Sequence, residues 1–573
     1  MSSLTGASTR CNAKPIVCRR AAVGACWVLL VMAPAYAKKK RPAKHMKVQT
    51  IQVQVQNVFD PEIPSENYWP YRVANIIHIR TRAAVIRRQL LMRPGDIADP
   101  DLFDESERNL RALPFVKSAN IQEIPRPSGD VDLVVKTQDT WTLKPQLNFG
   151  TQGNQSTFST GIEEDNFLGY GKSVTVFYTK DQNGVSRELG YVDPQIGNTR
   201  LTLNTDFKDT STGDEEHVNL QQPFYSLESR WSAGMMTDRV IGVQKVYQSG
   251  NEINEYTQRH LHLDPSVGMR LNDDPENVHR LTLRFRYTKD DYLPDSLTQP
   301  NSLPANNTLS GPLLVWNFIQ SQFIKETFID KAERVEDFNL GHQLTAETGY
   351  SGRAMGATDN SVPYSVNDGF GFGGEGQWFG LASLGLAGRY NTYASNQIGG
   401  RPLNTLYFGN LNVFGHLLSM FPLTGVAHME ATYLQNPDIQ DFVQLGGDTG
   451  LRGYPVKAFT GDKSVLANLE TRFYAPYEVL HLAYIGGAAF VDAGQVQPQG
   501  VGFNRRDLHA DVGAGFRFAL TRSTIGTVYR VDFAYAVGPV QQTNRWVVSL
   551  TAGQGFGHNN NSAPMFPEVT LPN

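Results

Sequence analysis

The stretch Leu445–Pro455, LGGDTGLRGYP, sets four glycines (Gly446, Gly447, Gly450 and Gly453) around one arginine, Arg452. Glycine has the most backbone freedom to lose on ordering, so such a run calls for a reason. One is a phosphate cradle. Another is a tightly turning loop that carries the guanidinium to partners, because an unpaired charge in a narrow enclosed space is costly. Arginine's five donors lie in a planar fork that can engage carboxylates.

Other motifs do not carry the chemistry their spelling suggests. Gly371–Gly376, GFGGEG, matches G-x-G-x-x-G, but a dinucleotide site needs a strand before it and a helix after it. Asn367-Asp368-Gly369 precedes and aromatic strand sequence follows, which predicts a turn or a glycine patch. Gly171-Lys172-Ser173 resembles the end of a phosphate loop, yet Asn166 stands where a glycine should and a strand pattern follows. His260 and His262 share a strand face with no third ligand spaced to complete a metal site. HExxH and GxSxG are absent, and the three cysteines (Cys11, Cys18, Cys26) all fall within residues 1–37. These observations predict no enzyme, no catalytic residue, no cofactor and no metal.

The elements that would position Arg452 follow from the rest of the chain. Residues 1–37 read as a secretory signal: Arg10, Lys14, Arg19 and Arg20, then an apolar core from Ala21 to Met32, then Ala35-Tyr36-Ala37. Cys26 hints weakly at a lipoprotein site, but Trp27–Leu30 continues the apolar core. With its cysteines confined to the signal, the remaining chain needs no disulfide framework. Net charge over 573 residues is −4, so no basic surface argues for nucleic acid. No later window is apolar and long enough for a spanning helix, so a membrane role requires a barrel.

Residues 38–70 read as a basic leader and connecting segment. Within it Val48–Val58 alternates apolar residues with Gln52, Gln54 and Gln56, and prolines 61, 64 and 70 break the pattern. A small mixed unit is expected over residues 71–140: a strand at Val73–Ile79, a helix capped by Thr81, a helix opened by Asp101, and strands at Phe115–Ile124 and Val131–Val135. From residue 141 to 556 the segments alternate with period two. Leu281, Leu283, Phe285 and Tyr287 are interleaved with Arg280, Thr282, Arg284 and Arg286. A soluble sheet cannot cheaply bury such arginines on an inner face. A barrel with a wet lumen and a lipid-facing exterior accommodates both rows. The predicted fold class is therefore mainly β, a transmembrane antiparallel β-barrel of about sixteen strands after a small periplasmic α/β domain. A two-layer soluble sandwich is the alternative, fourteen or eighteen strands fit nearly as well, and Leu313–Phe338 resists assignment.

With that layout the chain resembles the Omp85 superfamily (BamA/TamA-like; bacterial surface antigen D15-type barrels). These are outer-membrane assembly and translocation proteins carrying periplasmic POTRA domains. RRQLLMRPGD at Arg87–Asp96, ESERNLRALPFVKSANI at Glu105–Ile121 and DVDLVVKTQDTWTL at Asp130–Leu143 follow the POTRA pattern. DNFLGYGKSV at Asp165–Val174 and YVDPQIGNTRLTL at Tyr191–Leu203 look like the family's first barrel hairpins. The family's (V/I)RG(F/Y) loop motif is matched by Leu451-Arg452-Gly453-Tyr454, with leucine at the first position. Its strand glutamate is matched by Glu470, and its F-x-D-x-G strand by Phe490-Val491-Asp492-Ala493-Gly494. The resemblance implies that Arg452 docks on Glu470 and Asp492 and latches the loop inside the barrel, with Gly494 leaving space beside Phe490. A solvated surface loop is the alternative.

The resemblance further implies a bacterial outer-membrane location with the POTRA domain in the periplasm. Client strands would be inserted or translocated by β-augmentation at a seam between the first strand (Leu143–Gly150) and the last, where Trp546, Val548, Leu550 and Phe556 share one parity. Expected partners are outer-membrane lipid, unfolded β-barrel or secreted client polypeptides and periplasmic accessory proteins, with no nucleic acid. A dedicated two-partner secretion pore and a passive porin-like barrel remain alternatives. There is one clear POTRA unit, it is open whether residues 48–58 belong to it, and a polar tail, residues 557–573, follows the last strand.

Overall fold

The structure is a computed structural model. It describes residues 46–553, apart from 153–154, 182–183, 249–250, 301, 377, 394–399, 419–422, 439–440, 524–527 and 538–543. The expected signal peptide, Phe556 and the tail lie outside the described residues.

The small domain begins at Val48, not at residue 71. Strand β1 (Val48–Gln56) is followed by helices α1 (Trp69–Ile77), α2 (Ala83–Gln89) and α3 (Pro100–Arg111), then β2 (Val116–Pro125) and β3 (Val131–Asp139). The sheet order is β1-β3-β2, with β1 parallel to β3 and β2 antiparallel to it. The alternation of Val53 and Val55 with glutamines thus marks an edge strand of this sheet. The strand expected at Val73–Ile79 is a correction: most of it is helical, in α1. Pro70 in the first turn suits a helix start, and β1 already fills the sheet position that segment would have taken. Helix α3 starts where the Asp99 side chain accepts the Asp101 N–H at 2.9 Å, with Pro100 at its first position and Arg108 and Arg111 in its last turn. Its apolar side, Phe103 and Leu110, joins Val85, Ile86, Phe115, Leu133 and Val135 in the core.

Among the described residues, twenty strands then form one closed barrel, not the sixteen expected. The discrepancy lies in strand length. Six strands of nine or ten residues come first: β4 (Leu143–Gln152), β5 (Gln155–Glu164), β6 (Ser173–Asp181), β7 (Gly184–Asp193), β8 (Thr202–Thr210) and β9 (Gly213–Gln222). That is about the minimum needed to cross a bilayer when tilted, so this part of the chain fits more strands than an even spacing of sixteen would give. Longer strands follow in β10 (Trp231–Gln248), β11 (Asn251–Arg270), β12 (Asn277–Pro294) and β13 (Asn307–Gln320). The segment that resisted assignment holds β13 and a two-stranded hairpin outside the barrel wall, β14 (Phe323–Glu326) and β15 (Glu336–Asn339). The wall resumes with β16 (Gln343–Gly349), β17 (Asn360–Gly373), β18 (Trp378–Tyr393), β19 (Arg401–Leu418) and β20 (Leu423–Gln435). A second small hairpin, β21 (Val443–Leu445) with β22 (Phe459–Gly461), interrupts it. Strands β23 (Lys463–Tyr474), β24 (Ala483–Gln497), β25 (His509–Leu520), β26 (Val528–Ala536) and β27 (Trp546–Ala552) complete the wall, and β27 neighbours β4.

The period-two alternation has the meaning a barrel gives it. Leu283 and Phe285 are exposed on the outside, whereas Arg284 and Arg286 point inward and share Asp264 and Glu347. One closed wall replaces the two-layer sandwich. The small domain sits against the end of the barrel where β4 begins, here called the proximal end. There Arg522 pairs with Glu66 at 2.7 Å and Arg88 donates to Gln195 at 2.9 Å.

Candidate functional site

Leu445–Pro455 leaves the distal end of the barrel, between β20 and β23, and turns back into the lumen. The paired β21 and β22 form the stem of the loop. At its tip Leu451 N–H donates to Gly446 O at 2.9 Å and Tyr454 N–H to Leu451 O at 3.0 Å. All four glycines are confined by the fold, and two show why. Gly450 has φ +112°, in the region that disfavours side chains, and a Cβ on Gly453 would stand 2.5 Å from the Asp511 Cβ. Leu451 and Tyr454 are buried with Leu445, Leu466 and Ala536, and Tyr454 donates its hydroxyl to Ala510 O at 3.2 Å.

The loop thereby delivers Arg452 to the wall with 3% of its surface exposed. Nε and Nη2 donate to the two oxygens of Asp492, each at 2.8 Å, and Nη1 donates to Glu470 at 2.5 Å. The guanidinium carbon lies 3.5 Å from the centroid of the Phe490 ring. Gly494, two residues beyond Asp492, faces Leu445 and Leu466, and a Cβ there would come within 3.1 Å of Leu445. The structure therefore brings together Leu451, Arg452, Gly453, Tyr454, Glu470, Phe490, Asp492 and Gly494.

Several partners were missed in the sequence. Arg472, wholly buried, donates to Glu470 at 2.7 Å, and Arg517, also wholly buried, pairs with Asp532 at 2.6 Å and approaches Glu470 at 3.5 Å. Arg530 lies 3.3 Å from Asp532, and Asn468 donates to both Gly450 O and Asp492 at 2.8 Å. Arg452 from the loop, with Arg472, Arg517 and Arg530 on the inner faces of β23, β25 and β26, thus meets the carboxylates of Glu470, Asp492 and Asp532, while Asp511 lies under Gly453. Such pairing makes burial tolerable. The available signal was the i, i+2 series Asn468-Glu470-Arg472 and Arg530-Asp532.

A second element reaches the same cluster from the opposite end. In the hairpin connection, Ile329 and Phe338 are buried against Phe379, Leu381, Phe414 and Val426 of the inner wall. The Ile329 carbonyl accepts from Arg472 Nη1 at 3.1 Å. The Glu336 carboxylate accepts the N–H groups of Ile329, Asp330 and Lys331 at 3.1–3.2 Å, holding the turn. Burial, with Asp330 adding to it, pushes the Glu336 carboxyl above its usual range. Outside the lumen, Asp337 takes a bidentate grip from Arg111 of α3 at 2.7 and 2.8 Å. Distal loop and proximal hairpin thus converge on neighbouring inward positions, Glu470 and Arg472.

Trp546, Val548 and Leu550 are exposed on the outer face of β27. His260 and His262 are not gathered into a site; they hydrogen-bond Asp290 and Thr288 across the adjacent strand. GFGGEG ends β17 and turns into β18 with no helix after it.

The Omp85 superfamily domain matches residues 166–556, more than half of the chain. A relative from Treponema pallidum (strain Nichols), named as an outer membrane protein assembly factor, is 33% identical over 137 residues. The match covers 22% of this chain and only 16% of that relative's length. Among solved structures, BamA from Haemophilus ducreyi lacking POTRA domains 1–3 is similar at 12% identity and a TM-score of 0.40, over 88% of this chain and 84% of that one. CdiB from Acinetobacter baumannii is similar at 13% identity and a TM-score of 0.43, over 89% and 74%. Superfamily members are assembly and transport proteins, not enzymes. By the extent of the domain match, the chain belongs to the Omp85 superfamily and is a β-barrel of the bacterial outer membrane with a small POTRA-like domain before it.

Proposed function

We propose that the protein inserts β-rich client chains into the outer membrane, or moves them across it, by letting client strands pair with an edge exposed where β27 meets β4. One observation carries this reading. The buried charge cluster ties the inward loop chiefly to β23, β24, β25 and β26, and touches β27 at its edge, where Arg530 Nε donates to the Thr551 hydroxyl at 2.6 Å. With seven residues against ten in β4, β27 offers the shorter ladder. A wall braced most heavily over β23 to β26, with a short last strand at its closure, suits a seam that opens. In this reading Arg452 is the latch, and Glu470 and Asp492 are its catch. Partners would be unfolded barrel or secreted polypeptides, outer-membrane lipid and periplasmic accessory proteins meeting the POTRA-like domain. A passive pore is disfavoured by two separate elements turned into the lumen.

Depletion of the protein followed by outer-membrane and secreted-fraction proteomics tests this. Broad loss of barrel proteins is the expected result. Loss of a single secreted product would narrow the role to dedicated export. Unchanged profiles in both fractions would overturn the proposal.

A further inference from the structure

Helix α1 is amphipathic in the reverse of the usual sense. In a small soluble domain the apolar stripe of a helix faces the core. Here the side tied to the rest of the protein is the polar one. Tyr71 stacks on Phe59 at 4.6 Å and donates its hydroxyl to Leu480 O at 2.8 Å. Asn75 bonds both the N–H and the carbonyl of Phe59, at 3.1 and 2.8 Å, and His78 meets Asp139 at 3.1 Å. The opposite stripe, Trp69, Val73, Ile76 and Ile77, follows i, i+4, i+7, i+8 and lies in the open. Trp69 is 71% exposed and Ile76 81%. Leaving four large apolar side chains in water along one stripe signals a contact that the chain itself does not make.

What covers the stripe is indicated by where it stands. Tyr71 anchors α1 to the turn between β23 and β24, at the proximal rim of the barrel. Tyr477 and Leu480 of that turn are themselves exposed. Ile79, just past the helix, lines one apolar groove with Leu143, Ile162, Phe167, Leu168 and Val176, on the outside of the first barrel strands. The stripe is therefore continuous with the wall that faces lipid. Tryptophan and tyrosine at such a rim suit the interfacial belt of a bilayer. Arg72, Arg80 and Arg82, all exposed, stand at headgroup level where phosphates would meet them.

We propose that α1 is an interfacial helix that lies in the periplasmic leaflet of the outer membrane with Trp69, Val73, Ile76 and Ile77 among the acyl chains. It docks the POTRA-like domain on the membrane beside the barrel. The proposal does not depend on which clients the barrel handles.

The full chain is tested with Cys11, Cys18 and Cys26 replaced by alanine, so that an introduced thiol is the only one. Ile76→Cys and, separately, Ile77→Cys are labelled with a polarity-sensitive fluorophore. The protein is then reconstituted in vesicles of phosphatidylethanolamine and phosphatidylglycerol. Gln122→Cys, exposed on β2, serves as the control, and heat-dependent gel mobility verifies a folded barrel. The expected result is blue-shifted emission at 76 and 77, quenched more by a nitroxide high on the acyl chain than by one near its end, with a water-like label at 122. Water-like emission at both helix positions would overturn the proposal. So would shielding that appears only in native outer-membrane fragments and not in protein-free vesicles, since a protein would then be the occupant.

Discussion

Arg452 meets Asp492 edge to edge: Nε and Nη2 each donate to one carboxylate oxygen at 2.8 Å, while the Phe490 ring two residues away on β24 lies under the guanidinium plane. Only a planar fork makes all three contacts at once. Arg452→Ala leaves Glu470 and Asp492 buried without their shared partner, and breaking a buried pair in this way costs about 3–5 kcal/mol. The folded band on semi-native gels is expected to convert to the unfolded band at a lower temperature. Arg452→Lys is expected to fall between the two, since an ammonium cannot span both oxygens. An unchanged conversion temperature for Arg452→Ala would show that the contact does not brace the barrel.

Gly453 is constrained by proximity to the wall. An added Cβ would press on the Asp511 Cβ at 2.5 Å and on the Ala536 backbone nitrogen at 3.2 Å, whereas Gly502 has nothing within 4 Å. Gly453→Ala is expected to lift the loop tip from the wall, lowering the same conversion temperature, and Gly502→Ala to leave it unchanged. Equal behaviour of the two variants would contradict the close docking of the tip.

The barrel, the lumen-facing arginines and the inward alternation were legible because a strand with one wet and one greasy side writes a period of two into its residues. Arg452, Glu470 and Asp492 could be picked out only with the family pattern. The sequence alone does not say that positions 40 residues apart share a wall. Arg472 and Arg517 were missed for a related reason: their neighbours are set by strand register, which local alternation leaves open. The strand at Val73–Ile79 was misread because a short β-branched run does not distinguish strand from helix. Its apolar residues also face outward on α1, so burial gives no guide. The hairpin after β13 was illegible because nothing local distinguishes a connection that turns into a lumen from one that turns away.

The junction between α3 and the barrel should respond to pH through Glu105. Its carboxylate accepts the Leu227 N–H at 2.7 Å in the connection before β10. Burial pushes its carboxyl above the usual range, although that hydrogen bond and the Arg108 charge oppose the shift. A raised carboxyl means that the docked state holds the proton more tightly. This contribution to docking is complete below the ordinary carboxylate pKa and is lost as pH rises through the raised value. Amide exchange along α3 is therefore expected to quicken across that window. Glu105→Gln keeps an acceptor for Leu227 but cannot titrate, and should flatten the profile. A pH dependence that survives in Glu105→Gln would assign it to another group.

Removing the hairpin should open the lumen. Phe338 packs at a tilt against Phe379 and Phe414, with ring centroids 4.9 and 6.5 Å away, so the hairpin fills space that the wall strands enclose. Its outer end is tied to the small domain through Arg111 on Asp337 and the Arg108 guanidinium 4.2 Å from the Phe323 ring, and to the wall through Glu326, which meets His416 at 3.2 Å. Replacing residues 322–340 with a short glycine-serine turn removes the plug and leaves β13 and β16 joined. In planar bilayers that variant is expected to conduct several times more than the intact protein. Asp337→Ala keeps the buried aromatic contacts and removes the Arg111 ion pair, so it should give brief openings to the same higher level. If the deleted form conducts no better than the intact protein, the inward loop alone closes the pore and the hairpin serves only to join the two domains.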